Sequence, residues 1–264
     1  MIAKAKMGLR FSPTAHSYWL DGKRVPGVTT ILGVLDKPAL PRWAATAVAE
    51  YVADHPDGVD SLRAMGRRPM VQALKEIPWQ TRDVAAHRGT EVHALAATIA
   101  GGDEADVPDP LVGHVESYLR FLDDYGVTPV LLESAIGSRE HRYAGTLDMV
   151  ADSARHPRAI YDLKTSRSGI YAQTAWQNAA YGCAEFYGLD GDEQPMADLG
   201  IERSFGVHLR ADGYDVHPLP YGPEVYAEFL TIRSAYDINK RAVGDWRRPG
   251  SGYVGVSEQN EETP

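Results

Sequence analysis

The sequence predicts a mixed α/β fold, a sheet flanked by helices with a helical N-terminal region in front of it. Three observations carry this. Residues 128–136 (TPVLLESAI), 143–151 (YAGTLDMVA) and 159–165 (AIYDLKT) are short apolar runs bounded by turn residues, the pattern of three consecutive strands. Helical periodicity dominates the chain before them. Helix and hairpin patterns alternate after them, which sets a mixed sheet among helices.

The elements follow in order. Residues 16–32 (HSYWLDGKRVPGVTTIL) predict two short strands around an Asp21-Gly22 turn. Residues 42–54 predict a helix that stops before His55-Pro56. Residues 56–80 are broken by Pro and Gly, with a short helical stretch and a cluster of Arg63, Arg67, Arg68 and Lys75. Over 81–100, Val84, Arg88, Val92, Leu95 and Ile99 recur at helical spacing, and Gly101-Gly102 supplies the stop. An acidic loop spans 103–110, and a second helix is expected over 111–125. The second and third strands are joined by the turn-rich DSARHPR, and a helix is expected at about 170–187. A hairpin turning at Ala211-Asp212-Gly213 follows over 203–219, then a last helix over 222–241. The expected division is an N-terminal hairpin and helical region over 1–80, a core over 81–248 and a disordered Gly/Ser/Glu-rich tail over 249–264. No internal repeat is visible.

Composition narrows the class. The chain has 264 residues, 44% apolar and 24% charged, enough for one large domain with a substantial core. Its single cysteine, Cys183, excludes an internal disulfide and any cysteine-rich zinc or iron–sulfur site. A reducing cytoplasm is the expected compartment. The start, MIAKAKMGLRF, lacks the apolar stretch of a secretory signal, and no apolar run reaches the ~18 residues of a membrane helix, so no membrane association is expected. A net charge of −9 argues against a protein that coats nucleic acid with a broad basic face. It leaves room for a local basic cleft, and metal-holding carboxylates push the total downward.

The chemistry centres on Asp162-Leu163-Lys164. In a strand, alternate residues share a face, so Asp162 and Lys164 project together while Leu163 enters the core. A carboxylate beside an ammonium suits a hard divalent cation and a positioned water. The triplet alone is weak, because Asp-x-Lys arises about once by chance in such a chain. Asp21-Gly22-Lys23 has the same spelling in a turn, and an exposed strand pair is the plain alternative. Asp148, in Gly145-Thr146-Leu147-Asp148 on the preceding strand, changes the balance. Facing residues on adjacent strands lie about 5 Å apart, so Asp148 is expected beside Asp162. Two carboxylates in apolar strands repel unless a cation neutralises them. A divalent metal with Lys164 is one solution, and an internal salt bridge is the other.

Further candidates flank these three. His93, in Gly89-Thr90-Glu91-Val92-His93, is a candidate ligand through a neutral imidazole, against the commoner hydrogen-bonded helix histidine; Glu91 is a weaker candidate. Gly89 costs about 1 kcal/mol inside a helix, which points to a close approach there. Gln173, Gln177 and Tyr181 line one helical stripe suited to phosphate and base contacts, beside an apolar stripe of Trp176, Ala180, Cys183 and Tyr187. Glu133 is a further candidate ligand, and Arg88, Arg139, Arg142 and Arg167 are candidate phosphate contacts, each otherwise a surface charge.

Together these residues resemble the PD-(D/E)XK nuclease superfamily, in its RecB-like and Cas4-like exonuclease branch. The matching pattern is Gly89 to His93 on a helix, Gly145 to Asp148 on a strand, Asp162 to Lys164 on the next strand and Gln177 to Tyr181 on the following helix. It spans about residues 85–185, and the N-terminal HSYWLDGKRVPGVTTIL with Leu40-Pro41-Arg42-Trp43-Ala44 is similar to phage-encoded members. The resemblance implies a restriction-endonuclease-like core. It implies that His93, Asp148, Asp162 and the Leu163 carbonyl hold Mg²⁺ or Mn²⁺. It implies that Lys164 orients the attacking water and stabilises the developing charge, and that Gln177 and Tyr181 contact DNA near the scissile phosphate. The four cysteines of iron–sulfur members are missing, so no cluster is expected.

The leading expectation is a Mg²⁺-dependent DNA exonuclease of a phage or prophage recombination or end-processing system. DNA is the expected partner, and the resemblance admits a single-strand annealing or recombinase partner and a homo-oligomer. A restriction-type or structure-specific endonuclease on the same core is the nearest alternative. A catalytically inactive nucleic-acid-binding protein and a hydrolase of small phosphoesters are the others.

Overall fold

The computed structural model describes residues 5–6, 8–12, 17–166, 169–189 and 191–246. Arg167 and the expected tail from residue 249 lie outside the described residues.

The fold is α/β, a large mixed sheet flanked by helices. Eight strands run in the order β1-β9-β8-β5-β6-β7-β10-β11. They are β1 (Ala5–Lys6), β5 (Thr128–Ser138), β6 (Tyr143–Asp152), β7 (Ala159–Lys164), β8 (Phe186–Leu189), β9 (Asp192–Pro195), β10 (Arg203–Arg210) and β11 (Gly213–Leu219). The three expected strands, β5, β6 and β7, form an antiparallel meander at its centre. The next pairing, β7 with β10, is parallel, as a crossover connection requires. That crossover carries α6 (Gln173–Gly182). A separate three-stranded sheet, β2 (Leu9–Ser12), β3 (Ser17–Leu20) and β4 (Lys23–Val25), contains the expected hairpin. Its turn puts Asp21 at φ 50° and Gly22 at φ 74°, so Asp21-Gly22-Lys23 is the chance spelling its glycine suggested.

Two apolar clusters cover the sheet. Ile136, Tyr143, Leu147, Val150 and Ile160 pack with α1 (Val28–Leu32), α6 and α7 (Pro223–Trp246). Met149, Ala151, Tyr161, Leu163 and Val207 pack with α4 (Arg67–Ala100) and α5 (Val112–Tyr125). All but one of the residues of β7 are buried, as expected of a central strand covered on both faces. Burying each large apolar side chain contributes about 1.5–3 kcal/mol.

The helices differ from expectation at their ends. The helix expected over 81–100 is the second half of α4, which starts at Arg67, so residues 80 and 81 lie within one helix. Pro69 sits in its first turn, where a missing N–H costs nothing, and the helix continues through Pro78. The stretch before it is α3 (Pro56–Ala64), packed with α2 (Ala39–Asp54) against α4. The helix expected to 187 stops at Gly182, and Phe186 and Tyr187 join the sheet as β8. The last helix runs on to Trp246. No helix among the described residues is long and apolar enough to cross a membrane.

Candidate active site

Strands β6 and β7 separate where the site begins. Their pairing ends at Met149↔Tyr161, one step short of Asp148 and Asp162. The Asp148 carboxylate fills the gap, because the Leu163 N–H donates to its Oδ2 at 2.7 Å. The other neighbour of β6 is distorted at the same level. Glu133 falls between the pairs Leu132↔Met149 and Ser134↔Leu147, and its φ is +41°. Leu147 and Val150, three apart, nevertheless share one cluster, as do Leu131 and Ile136, five apart. An unbroken strand puts only residues an even number apart on one face. Both strands therefore slip their alternation at Asp148 and Glu133. Such irregularities re-aim side chains beside functional sites.

The slip turns three ligand atoms toward one point. His93 Nδ1, from α4, lies 3.4 Å from Asp148 Oδ1 and 3.9 Å from Glu133 Oε1. These three residues form a group whose ligand atoms all lie within 4.8 Å of one another. His93 reaches the sheet because Gly89, one turn earlier, lets α4 approach the end of β7. A Cβ there would stand 3.3 Å from Thr165 Oγ1.

Asp162 and Lys164 complete the cluster. Both project from the same face of β7, with Lys164 Nζ 2.5 Å from Asp162 Oδ2, while Leu163 is buried beneath. Asp162 is 2% exposed, and its Oδ1 accepts from Gln177 Nε2 at 2.8 Å. Its Oδ2 has the Lys164 ammonium alongside but no aligned hydrogen bond. Gln177 is held in turn by α6, which Asn178 ties to β10 through Ser204 Oγ at 2.9 Å.

The charges constrain one another. Burial pushes the Asp162 carboxyl up, the Asp148 charge adds to it, and Lys164 and His93 oppose; the result is about 6. Burial also pushes Asp148 up, but the His93 charge and hydrogen bond, Lys164 and the Leu163 N–H outweigh it and hold the carboxyl low. His93 is pushed down by burial, yet Asp148 and Glu133 carry it up to about 10. Lys164 is likewise raised, against burial, by Asp162 and Asp148. Three carboxylates thus share two cations. A hard divalent ion would fit this donor set of carboxylate oxygens and one imidazole on displacing the His93 proton. The unaligned, buried Asp162 Oδ2 offers it a further oxygen.

Comparison with protein-family models and with curated proteins finds no match. The site therefore stands on its geometry.

The structure brings together His93, Glu133, Asp148, Asp162, Lys164, Gln177 and Tyr181, and separates others. Tyr181 is 4% exposed, and its hydroxyl accepts from Gln177 Nε2 at 3.3 Å. Its ring lies where a Cβ on Gly145 would come within 2.4 Å of Cε1. The buried Tyr181 ring presents little surface for stacking on a base. Glu91 points away and pairs with His87 at 3.3 Å. Arg88 lies roughly 140° round α4 from His93. It is half-buried, and its Nε makes no hydrogen bond. Arg139 is committed to Asp21 and Glu193 at 2.9 and 2.7 Å, so it is not free for phosphate. Gln173 opens α6 and is half-buried. The sequence reading overlooked the Leu163 N–H, which fixes Asp148, and Tyr18, whose hydroxyl meets Thr146 Oγ1 at 3.0 Å. Neither has a sequence signal, because both depend on contacts between distant segments.

Proposed function

We propose that this protein is a metal-dependent DNA nuclease of the PD-(D/E)XK type, with a restriction-endonuclease-like core of the RecB-like branch, acting as an exonuclease in phage or prophage DNA end processing. One observation carries the reading. Asp162, buried, and Asp148, half-buried on the neighbouring strand, converge with His93 and with a lysine 2.5 Å from Asp162. Holding such charges together in apolar strands is costly unless a cation joins them.

His93, Glu133, Asp148 and Asp162 would hold Mg²⁺ or Mn²⁺. Bound there, such an ion would supply charge neutralisation at a phosphoryl oxygen and acidification of a water. The chain supplies the rest. Gln177 fixes the Asp162 carboxylate from one side, leaving Oδ2 to the Lys164 ammonium. That ammonium is a point charge aimed at the reacting face, able to orient an attacking water and to stabilise negative charge developing on the phosphorane. The Leu163 N–H and His93 keep Asp148 anionic. With Cys183 as its single cysteine, the sequence lacks the four thiolates of the iron–sulfur members.

Digestion of linear and circular single- and double-stranded DNA with Mg²⁺ and Mn²⁺ tests the proposal. Nucleotide release from linear substrates, with circles spared, is the expected outcome. Cutting of circles would favour the endonuclease on the same core. No hydrolysis of any substrate with either metal overturns the reading.

A further inference from the structure

The helix that carries His93 also carries an exposed stripe that its role at the metal centre does not use. Counting back from His93 in steps of three and four residues gives Gly89, Ala86, Arg82, Trp79 and Lys75, and Arg68 lies seven residues further back. At 3.6 residues per turn all of these fall within roughly 40° of His93 around the helix axis. The packed flank lies beside it, about 60–100° round the axis from His93, where Pro78, Val92 and Ala96 are buried, and α4 rests on α2 and α3. The stripe itself is open. Arg68, Lys75, Trp79 and Arg82 are all exposed, Trp79 at 54% despite being the largest apolar side chain on the helix.

Its chemistry is selective. Residues 67–88 hold five Lys/Arg against two Asp/Glu, a net of +3 in a chain whose total is −9. The Arg82 guanidinium lies over the Trp79 ring, 4.6 Å from its centroid. Arg82 also pairs with Asp83 at 2.6 Å, with both side chains more than half exposed. Such a surface pair contributes little and exchanges readily for another anion. Below Arg82 the stripe narrows to Ala86 and Gly89, which place no bulk between it and His93. An aromatic face with cations spaced along a track is the arrangement that takes up a single nucleic-acid strand, bases on the ring and phosphates on the cations.

We propose that the exposed flank of α4, through Arg68, Lys75, Trp79 and Arg82, binds a single-stranded segment of DNA and leads it past Gly89 to the metal centre at His93. This rests on the nuclease reading for the strand's destination, but binding along α4 is measurable without cleavage.

The test is fluorescence anisotropy of a labelled 20-nucleotide oligo-dT and of a 20-base-pair duplex with the full chain in EDTA, over a salt series. Arg68→Ala/Lys75→Ala is expected to weaken oligo-dT binding and flatten the log–log salt slope by about 1.4, at about 0.7 per lost phosphate contact. Trp79→Ala is expected to weaken it about tenfold, within the range of one lost base stack, while Trp79→Phe retains most of the affinity. Arg155→Ala removes a charge from the far end of the β6–β7 hairpin and is expected to change nothing. Unchanged oligo-dT affinity in the α4 variants, an equal loss in Arg155→Ala, or dependence on the stripe for the duplex alone each overturns the proposal. If the parent protein degrades DNA with Mg²⁺ while the α4 variants bind as it does, the track fails and the nuclease stands. If the variants lose binding and no form hydrolyses DNA, the nuclease reading fails and the track stands.

Discussion

The β6–β7–α6 unit and the α2–α3–α4 lobe are built to opposite rules. In β7 only Lys164 of six residues escapes burial, and six of ten residues of α6 are buried. In α2 none of sixteen is buried, and in the whole of α4 only Pro78, Val92 and Ala96 are. The first unit holds Asp148, Asp162, Lys164 and Gln177, which His93 joins from the second half of α4, while the lobe holds the exposed Trp43, Met65, Val71, Trp79 and Val84. A site that must keep like charges within a few ångströms needs neighbours that cannot relax, and only the close-packed sheet supplies them. The lobe has no such constraint, so substitutions there should act on ligands rather than on the fold.

The largest effects are expected where burial and charge coincide. Asp162→Asn should lower the rate of DNA hydrolysis by at least about a thousandfold, the scale of losing one preorganised charged group. Its stability should move the other way. The Asp162 carboxyl is raised to about 6, so the contribution of this group to stability is full below its ordinary value near 3.8 and is lost as pH rises through 6. At pH 8 without divalent metal, the ionised side chain is a cost that asparagine removes. The variant should then melt no lower than the parent, and its advantage should shrink as pH falls from 6 to 4. A lower melting temperature at pH 8 in differential scanning calorimetry would contradict this.

Gly145→Ala comes next, and it sharpens the contrast by adding one methyl to the packed unit. The new Cβ would stand 2.4 Å from a Tyr181 ring that is itself buried. Overpacking of this kind costs about 1–3 kcal/mol. The melting temperature should fall by about 2–12 °C, at about 2–4 °C per kcal/mol for a chain of this size. Hydrolysis should fall too, because Asp148 lies three residues on along the same strand. A melting curve superimposable on the parent's would show that the ring is not confined.

The smallest effect is expected at Val84, on the lobe side of α4 and 70% exposed. Val84→Ala should change stability by no more than about 0.5 kcal/mol and leave hydrolysis unaltered. A loss comparable to that of Gly145→Ala would mean the lobe is packed against something.

The same contrast explains what was legible in the sequence. Asp148, Asp162 and Lys164 could be read because strand alternation and short turns are local signals, and their order between His93 and Gln177 narrowed the reading. Glu133 was only a weak candidate, because its place depends on a φ of +41° that no propensity announces for a glutamate. Gln177 and Tyr181 were found as a stripe, but the burial of Tyr181 was not, since it follows from the parallel β7–β10 pairing that seats α6. The length of α4 was misjudged because Pro69 and Pro78 look like breaks. The end of α6 was misjudged because Tyr187 falls at helical spacing from Cys183 yet pairs with Ile136 in the sheet.

The account rests most heavily on Lys164 as the charge that works on a metal-bound phosphodiester. Its most direct test is digestion of end-labelled linear DNA by the parent and by Lys164→Ala, each with Mg²⁺, with Mn²⁺ and with EDTA. The predicted result is hydrolysis by the parent with either metal, none in EDTA, and a rate at least about a thousandfold lower for the folded variant. Equal hydrolysis by both proteins, or none by the parent with either metal, would contradict it.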